Sequence, residues 1–159
     1  MKLKGINDED FINYKLPSMF LITSYCDFKC DRESGENCCQ NSSLAKLPVR
    51  EINDNTIIQR YLSNPITKGI VFGGLEPFEQ FDEVLSFISL LRGKYACNDD
   101  IVIYTGYNKA EIENKTALLL SFGNIIIKYG RFIPNQPQHY DEVLGVNLKS
   151  NNQYAERIC

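Results

Sequence analysis

Apolar residues follow two rhythms along this chain. Short unbroken runs occur at Met19-Phe20-Leu21-Ile22, Gly69-Ile70-Val71-Phe72, Ile101-Val102-Ile103-Tyr104 and Ile125-Ile126-Ile127. Such runs are too short and too β-branched for helices and read as buried strands. Between them apolar residues recur at helical spacing. Ile57, Ile58, Tyr61 and Leu62 mark a helix over 56–62, with Asn53 or Asn55 as its cap. Phe81, Val84, Leu85, Ile88 and Leu91 mark a second, closing near Gly93. Asn108 with Glu111 has the form of a capping box before a third, running to about Ser121.

Strands near 18–23, 69–72, 101–104 and 125–129 alternating with helices imply right-handed crossovers and a parallel sheet. The expected fold is therefore α/β: a small single domain over 1–159, its parallel strands alternating with helices in an open sheet or partial (β/α) barrel. Residues 1–17 read as a polar lead-in ending at Pro17, and 42–53 as irregular, with Pro48 as a breaker. In such folds ligands sit at the carboxyl ends of the strands. Three loops are expected there: the one after Thr23, Gly73-Gly74-Leu75-Glu76-Pro77, and Thr105-Gly106-Tyr107. The core as read from these runs has four strands and leaves one side open, and no stretch suggests a dedicated pocket for a small second substrate.

Composition narrows the function classes. With 159 residues, 43% hydrophobic and 23% charged, the chain is an ordinary globular domain with room for a core. A net charge of −3 argues against nucleic-acid binding. The first residues, Met1-Lys-Leu-Lys-Gly, show no signal-peptide pattern, and no apolar run approaches membrane-spanning length. The expected location is the cytoplasm, where thiols stay reduced and a disulfide is disfavoured.

The chemistry concentrates in the first of the three loops. Of six cysteines, Cys26, Cys30, Cys38 and Cys39 lie within it. Thiolates suit iron–sulfur clusters or zinc. The pair Cys26-x3-Cys30 directly after the first strand, followed by a third cysteine, resembles the radical S-adenosylmethionine family, whose usual pattern is Cys-x3-Cys-x2-Cys. Here the second interval spans 31–38 if Cys39 is the third ligand. Each doubling of a flexible spacer costs only about 0.6 kcal/mol. That is small beside metal–thiolate binding, on the order of 10 kcal/mol even for structural zinc. Cys39 is preferred because Cys39-Gln40-Asn41 is similar to the Cys-aromatic-Asn of one small branch; Cys38 is the alternative.

Gly73-Gly74-Leu75-Glu76-Pro77 resembles the family's Gly-Gly-Glu motif with Leu75 inserted. Alone, Gly-Gly before Pro reads as a strand-to-helix turn; after a strand and beside the cysteine loop it reads as a ligand loop, where glycine admits close backbone approach. Tyr104-Thr105-Gly106-Tyr107, Tyr129-Gly130-Arg131-Phe132 and Ser150-Asn151-Asn152-Gln153 resemble segments of the anaerobic ribonucleoside-triphosphate reductase activating proteins. Two positions depart from that branch: Tyr129 stands where it has Asp, and Tyr154 where it has Arg.

The resemblance implies a 4Fe–4S cluster on Cys26, Cys30 and Cys39, with S-adenosylmethionine on the iron that no thiolate holds. It implies cofactor contacts from Gly73, Gly74, Glu76, Thr105 and Asn41, Glu76 accepting from the methionine ammonium. No catalytic side chain beyond the cluster is implied. Reductive cleavage to a 5′-deoxyadenosyl radical would serve to place a glycyl radical on a partner such as anaerobic ribonucleotide reductase. The chain has no cysteines for a second cluster, so a flavodoxin or ferredoxin would supply electrons. Two rivals remain: a radical enzyme acting on a peptide or small molecule, and a zinc-stabilised binding module. His139, the one histidine, reads as a solvated surface residue; Cys97 and Cys159 read as structural or exposed thiols.

Overall fold

A computed structural model describes residues 1–159. The apolar runs form β2 (Ser18–Thr23), β4 (Gly69–Gly73), β5 (Asp100–Tyr104) and β6 (Ile125–Tyr129), all mutually parallel. The helices that join them are α3 (Asp54–Leu62), α4 (Phe81–Gly93) and α5 (Glu113–Leu119). Asn53 caps α3, its side chain accepting from Asn55 N at 2.9 Å. The capping box of Asn108 and Glu111 is present and opens a 3-10 turn ahead of α5.

The sheet is wider than the apolar runs indicate. The lead-in is a strand, β1 (Lys2–Asp10), antiparallel to β2, and the segment read as irregular holds a short helix, α2 (Ser42–Ala45), and strand β3 (Arg50–Glu51) on the far edge of β1. At the other edge β9 (Tyr154–Arg157) runs antiparallel to β6. The result is an open seven-stranded sheet of order β3-β1-β2-β4-β5-β6-β9. Backbone pairing recruits these polar strands even though they bury few side chains.

Each crossover from β2 to β6 steps in the same direction across the sheet. Right-handed crossovers that never reverse place every connecting helix on one face. That face carries the main core, where Ile57, Ile58 and Tyr61 of α3 and Phe87 and Leu91 of α4 pack on Ile70, Phe72, Ile101, Ile103, Ile125 and Ile127. The rings of Phe72 and Phe87 meet edge-on at 5.5 Å and join β4 to α4. Alternation along each strand sends Val71, Val102 and Ile126 to the opposite face. There they pack with Tyr14, Leu144, Leu148 and Ala155. Ala155 belongs to the sheet's own edge strand β9, and the covering residues come from the lead-in and from a separate hairpin, β7 (His139–Asp141) with β8 (Val146–Leu148). The side expected to be open is thus roofed by the tail. His139 is half-buried in that hairpin with its Nδ1 atom buried and unpaired, so it is not a solvated surface residue.

Candidate functional site

The roof reaches the carboxyl ends of the parallel strands, where Val146 and Leu148 of β8 form part of a cavity wall. There a cavity of about 670 Å³ opens between the cysteine loop, the Gly-Gly loop and the ends of β5 and β6. Its volume lies within the usual range for small-molecule sites, and it lies where the strand order led a ligand to be expected. Cys26, Cys30, Cys39, Asn41, Gly74, Glu76 and Thr105 all line it. Of the candidate cluster and cofactor residues, Gly73 and Cys38 are not on its wall.

The cysteine loop is shaped by local chemistry. Thr23 Oγ1 donates to Gly73 O at 3.1 Å, tying the end of β2 to that of β4. Ser24 is held by Gln80 Oε1, which accepts from its N–H at 2.7 Å and its hydroxyl at 2.9 Å. Phe28 takes a left-handed conformation, φ 54°, and its N–H donates to Cys26 Sγ at 3.4 Å. The chain then enters α1 (Lys29–Ser34), which carries Cys30. Asp31 brings the third cysteine back: its Oδ1 accepts the N–H groups of Cys38 at 2.9 Å and Cys39 at 2.7 Å. The adjacent thiols diverge. Cys39 faces the cavity, while Cys38 Sγ lies 3.2 Å from Ser34 Oγ and 3.6 Å from Cys30 O. Donor atoms of Cys30, Asp31 and Cys38 also lie within 4.8 Å of one another.

Burial pushes the Cys26 thiol up to about 11 and the Cys30 thiol up to about 12, with the neighbouring Cys39 adding to both. Thiols gathered this way gain from a bound cation, which deprotonates its ligands outright. The donor set of half-buried sulfurs on one wall therefore fits an iron–sulfur cluster.

A cluster of charges fastens α1 to the sheet. Glu111 accepts from Arg131 Nη1 at 2.9 Å, Arg131 Nη2 at 2.8 Å and Lys29 Nζ at 2.5 Å. Glu33 approaches Arg131 Nε at 3.3 Å, and both cations lie over the Tyr107 ring. The Arg131 guanidinium is the main reason the Glu111 carboxyl falls to about 2. Sequence reasoning missed Asp31, whose bonds to Cys38 and Cys39 depend on how the loop folds back, and this role of Glu111, whose partner Arg131 is 20 residues away.

Beside the cysteine loop, where its N–H donates to Tyr25 O at 2.8 Å, Glu76 is 6% exposed and accepts three hydrogen bonds: Oε1 from Thr105 Oγ1 at 2.8 Å and Phe78 N at 3.0 Å, and Oε2 from Gly106 N at 2.8 Å, which leaves Oε2 room for another donor. Burial outweighs these bonds and raises its carboxyl to about 7. Gly74 has φ +82°, and a Cβ there would meet Ile22 Cγ2 at 2.7 Å. The fold itself demands glycine at that position, in addition to any demand from a ligand. Lys128, also unremarked in the sequence, lines the cavity from the end of β6. Its signal was available: one lysine within an otherwise buried apolar strand.

An α/β domain with three thiols at the carboxyl end of its sheet has the form of a metal-centre protein. A family model described as a 4Fe-4S single cluster domain matches residues 17–154, and the chain belongs to that family. No curated protein and no solved structure matches the chain. No helix is long and apolar enough to cross a membrane.

Proposed function

We propose that this 4Fe-4S domain is a radical S-adenosylmethionine enzyme that generates a glycyl radical on a partner protein. The observation that carries the reading is the convergence of Cys26, Cys30 and Cys39 with Gly74, Glu76 and Thr105 on one cavity. A cluster alone needs only thiolates; the adjoining cavity, with a buried carboxylate beside it, has room for an organic cofactor. When bound, the cluster supplies the electron that splits S-adenosylmethionine into methionine and a 5′-deoxyadenosyl radical. The chain's own residues bind, orient and shield. Cys26, Cys30 and Cys39 hold the cluster. Glu76, itself held by Thr105 and Gly106, accepts from the methionine ammonium, and the exposed Asn41 lies on the cavity wall near Cys39. A partner loop docking over the cavity would complete the exclusion of water. Electrons come from a flavodoxin- or ferredoxin-like donor.

The test is to incubate the reduced, reconstituted protein with S-adenosylmethionine and anaerobic ribonucleotide reductase or another glycyl radical enzyme. Electron paramagnetic resonance should show a glycyl doublet. Repeated turnover of a free peptide or metabolite with no such doublet would assign the cavity to a different substrate.

A second reading has one observation in its favour. The close donors of Cys30, Asp31 and Cys38 are suited to a single zinc ion. Purified protein carrying zinc without acid-labile sulfide would select it.

A further inference from the structure

The charged residues around the cavity divide into two groups. Asp27 pairs with Arg32, and Lys29 and Arg131 pair with Glu33 and Glu111. Lys149, on the rim, is exposed to solvent. Two charged side chains remain deep in the wall, each 6% exposed: Glu76, bonded only to neutral donors, and Lys128. Lys128 Nζ donates to Gly130 O at 2.7 Å and lies 6.0 Å from the centre of the Tyr104 ring. An ammonium has three protons to donate, and the chain supplies one acceptor. Gly130 O is itself shared, since Gln153 Nε2 donates to it at 3.2 Å.

A buried cation is expensive unless it is paired. Burial lowers the Lys128 ammonium to about 7, with Glu76 opposing the fall from a distance. A cation and a carboxylate on one cavity, neither held in an ion pair, match the two ends of a zwitterion. Lys128 sits in register beside Tyr104 of β5 and Ala155 of β9, so it is held by the sheet. This rigid setting suits a specificity residue.

We propose that Lys128 is the carboxylate-binding residue of this cavity, its ammonium donating to a carboxylate of the bound ligand. The inference rests on the reading of the cavity as an organic-ligand site. The carboxylate could belong to the methionyl end of S-adenosylmethionine or to a second molecule in the same space. Both present the same chemistry to Lys128.

Equilibrium binding to the reconstituted protein separates these sources. The probes are S-adenosylmethionine, its decarboxylated form, and propionate added to protein saturated with decarboxylated S-adenosylmethionine. If Lys128 reads the cofactor, the wild type prefers S-adenosylmethionine over its decarboxylated form by about ten- to a hundredfold, and Lys128→Met abolishes the preference. If it reads a second molecule, propionate binds to the wild type and not to Lys128→Met. In either case the Lys128 Cε resonance of the wild type shifts when the carboxylate binds, a readout that needs no variant. The proposal is overturned if neither carboxylate shows a Lys128-dependent affinity and the resonance stays still, including the case where no probe binds. Lys128-dependent binding without S-adenosylmethionine cleavage would sustain the proposal and sink the radical reading. Cleavage without Lys128 dependence would do the reverse.

Discussion

Tyr129 and Tyr154 are register partners on β6 and β9, their rings 5.3 Å apart and tilted by 32°. Tyr129 is fully buried and its hydroxyl has no partner, while Tyr154 is 39% exposed and covers it. This pair closes the edge of the sheet beside the cavity. A double-mutant cycle with Tyr129→Leu and Tyr154→Ala, each of which removes a ring, should give a coupling of about 0.5–1.5 kcal/mol by chemical denaturation. Tyr129→Phe alone should be neutral or stabilising, because it removes an unsatisfied buried hydroxyl. A coupling near zero would mean that the rings merely lie close.

Asp31 is expected to matter more to cluster retention than its place off the cavity wall suggests. Its Oδ1 gathers the backbone of Cys38 and Cys39. Replacing Asp31 with Ala frees two N–H groups and costs about 1–3 kcal/mol of loop order. The expected outcome is lower iron and sulfide after reconstitution, with Asp31→Asn close to wild type because it keeps an acceptor.

Single cysteine substitutions should divide the loop in the same assay. Cys26→Ala, Cys30→Ala and Cys39→Ala should lose the cluster and its visible charge-transfer absorption, and Cys38→Ala should keep them. Loss in Cys38→Ala with retention in Cys39→Ala would transfer the third ligand to Cys38.

Gly74→Ala should destabilise the protein by about 1–3 kcal/mol even without ligand, given the left-handed φ and the contact with Ile22. Equilibrium unfolding measures this directly. Gly73 is less demanding, since its nearest contact, Phe20 Cε2 at 3.0 Å, is the edge of a ring. An undiminished denaturation midpoint in Gly74→Ala would contradict the packing around that loop.

The bond between Glu111 and Arg131 sets a pH dependence. The Glu111 carboxyl is depressed from 4.5 to about 2, chiefly by Arg131. A depressed carboxyl binds fewer protons in the folded state, so its contribution is complete above about 4.5 and fades as pH falls toward 2. Glu111→Gln should flatten that part of the stability profile and leave the profile above pH 5 parallel to wild type. Urea midpoints at intervals from pH 6 to pH 3 give the comparison.

Much of the frame was legible in the sequence because four strands are unbroken apolar runs and the helices between them keep a clear period. β1 was not, since its register shifts between Leu3 and Gly5 and its position next to the sheet edge lets polar residues occupy most of it. β7, β8 and β9 are three or four residues long and bury few side chains, so backbone pairing rather than pattern defines them. At the site, the cysteines and the Gly-Gly loop announced themselves by type and position. Glu111 and Arg131 are 20 residues apart, and Asp31 reaches Cys38 and Cys39 only through the turn of the loop, relationships that spacing cannot express. The two tyrosines that depart from the activating-protein pattern face each other across β6 and β9, a pairing visible only once β9 is placed.

The central claim is that the cavity brings a thiolate-held 4Fe–4S cluster and S-adenosylmethionine together. The most direct measurement takes one anaerobically reconstituted sample, determines its iron and sulfide, reduces it, and quantifies 5′-deoxyadenosine and methionine formed from S-adenosylmethionine. The account predicts about four iron and four sulfide per chain and equal amounts of the two products, abolished in Cys30→Ala. A sample that holds the full cluster yet forms neither product, or one that holds zinc and no sulfide, would contradict it.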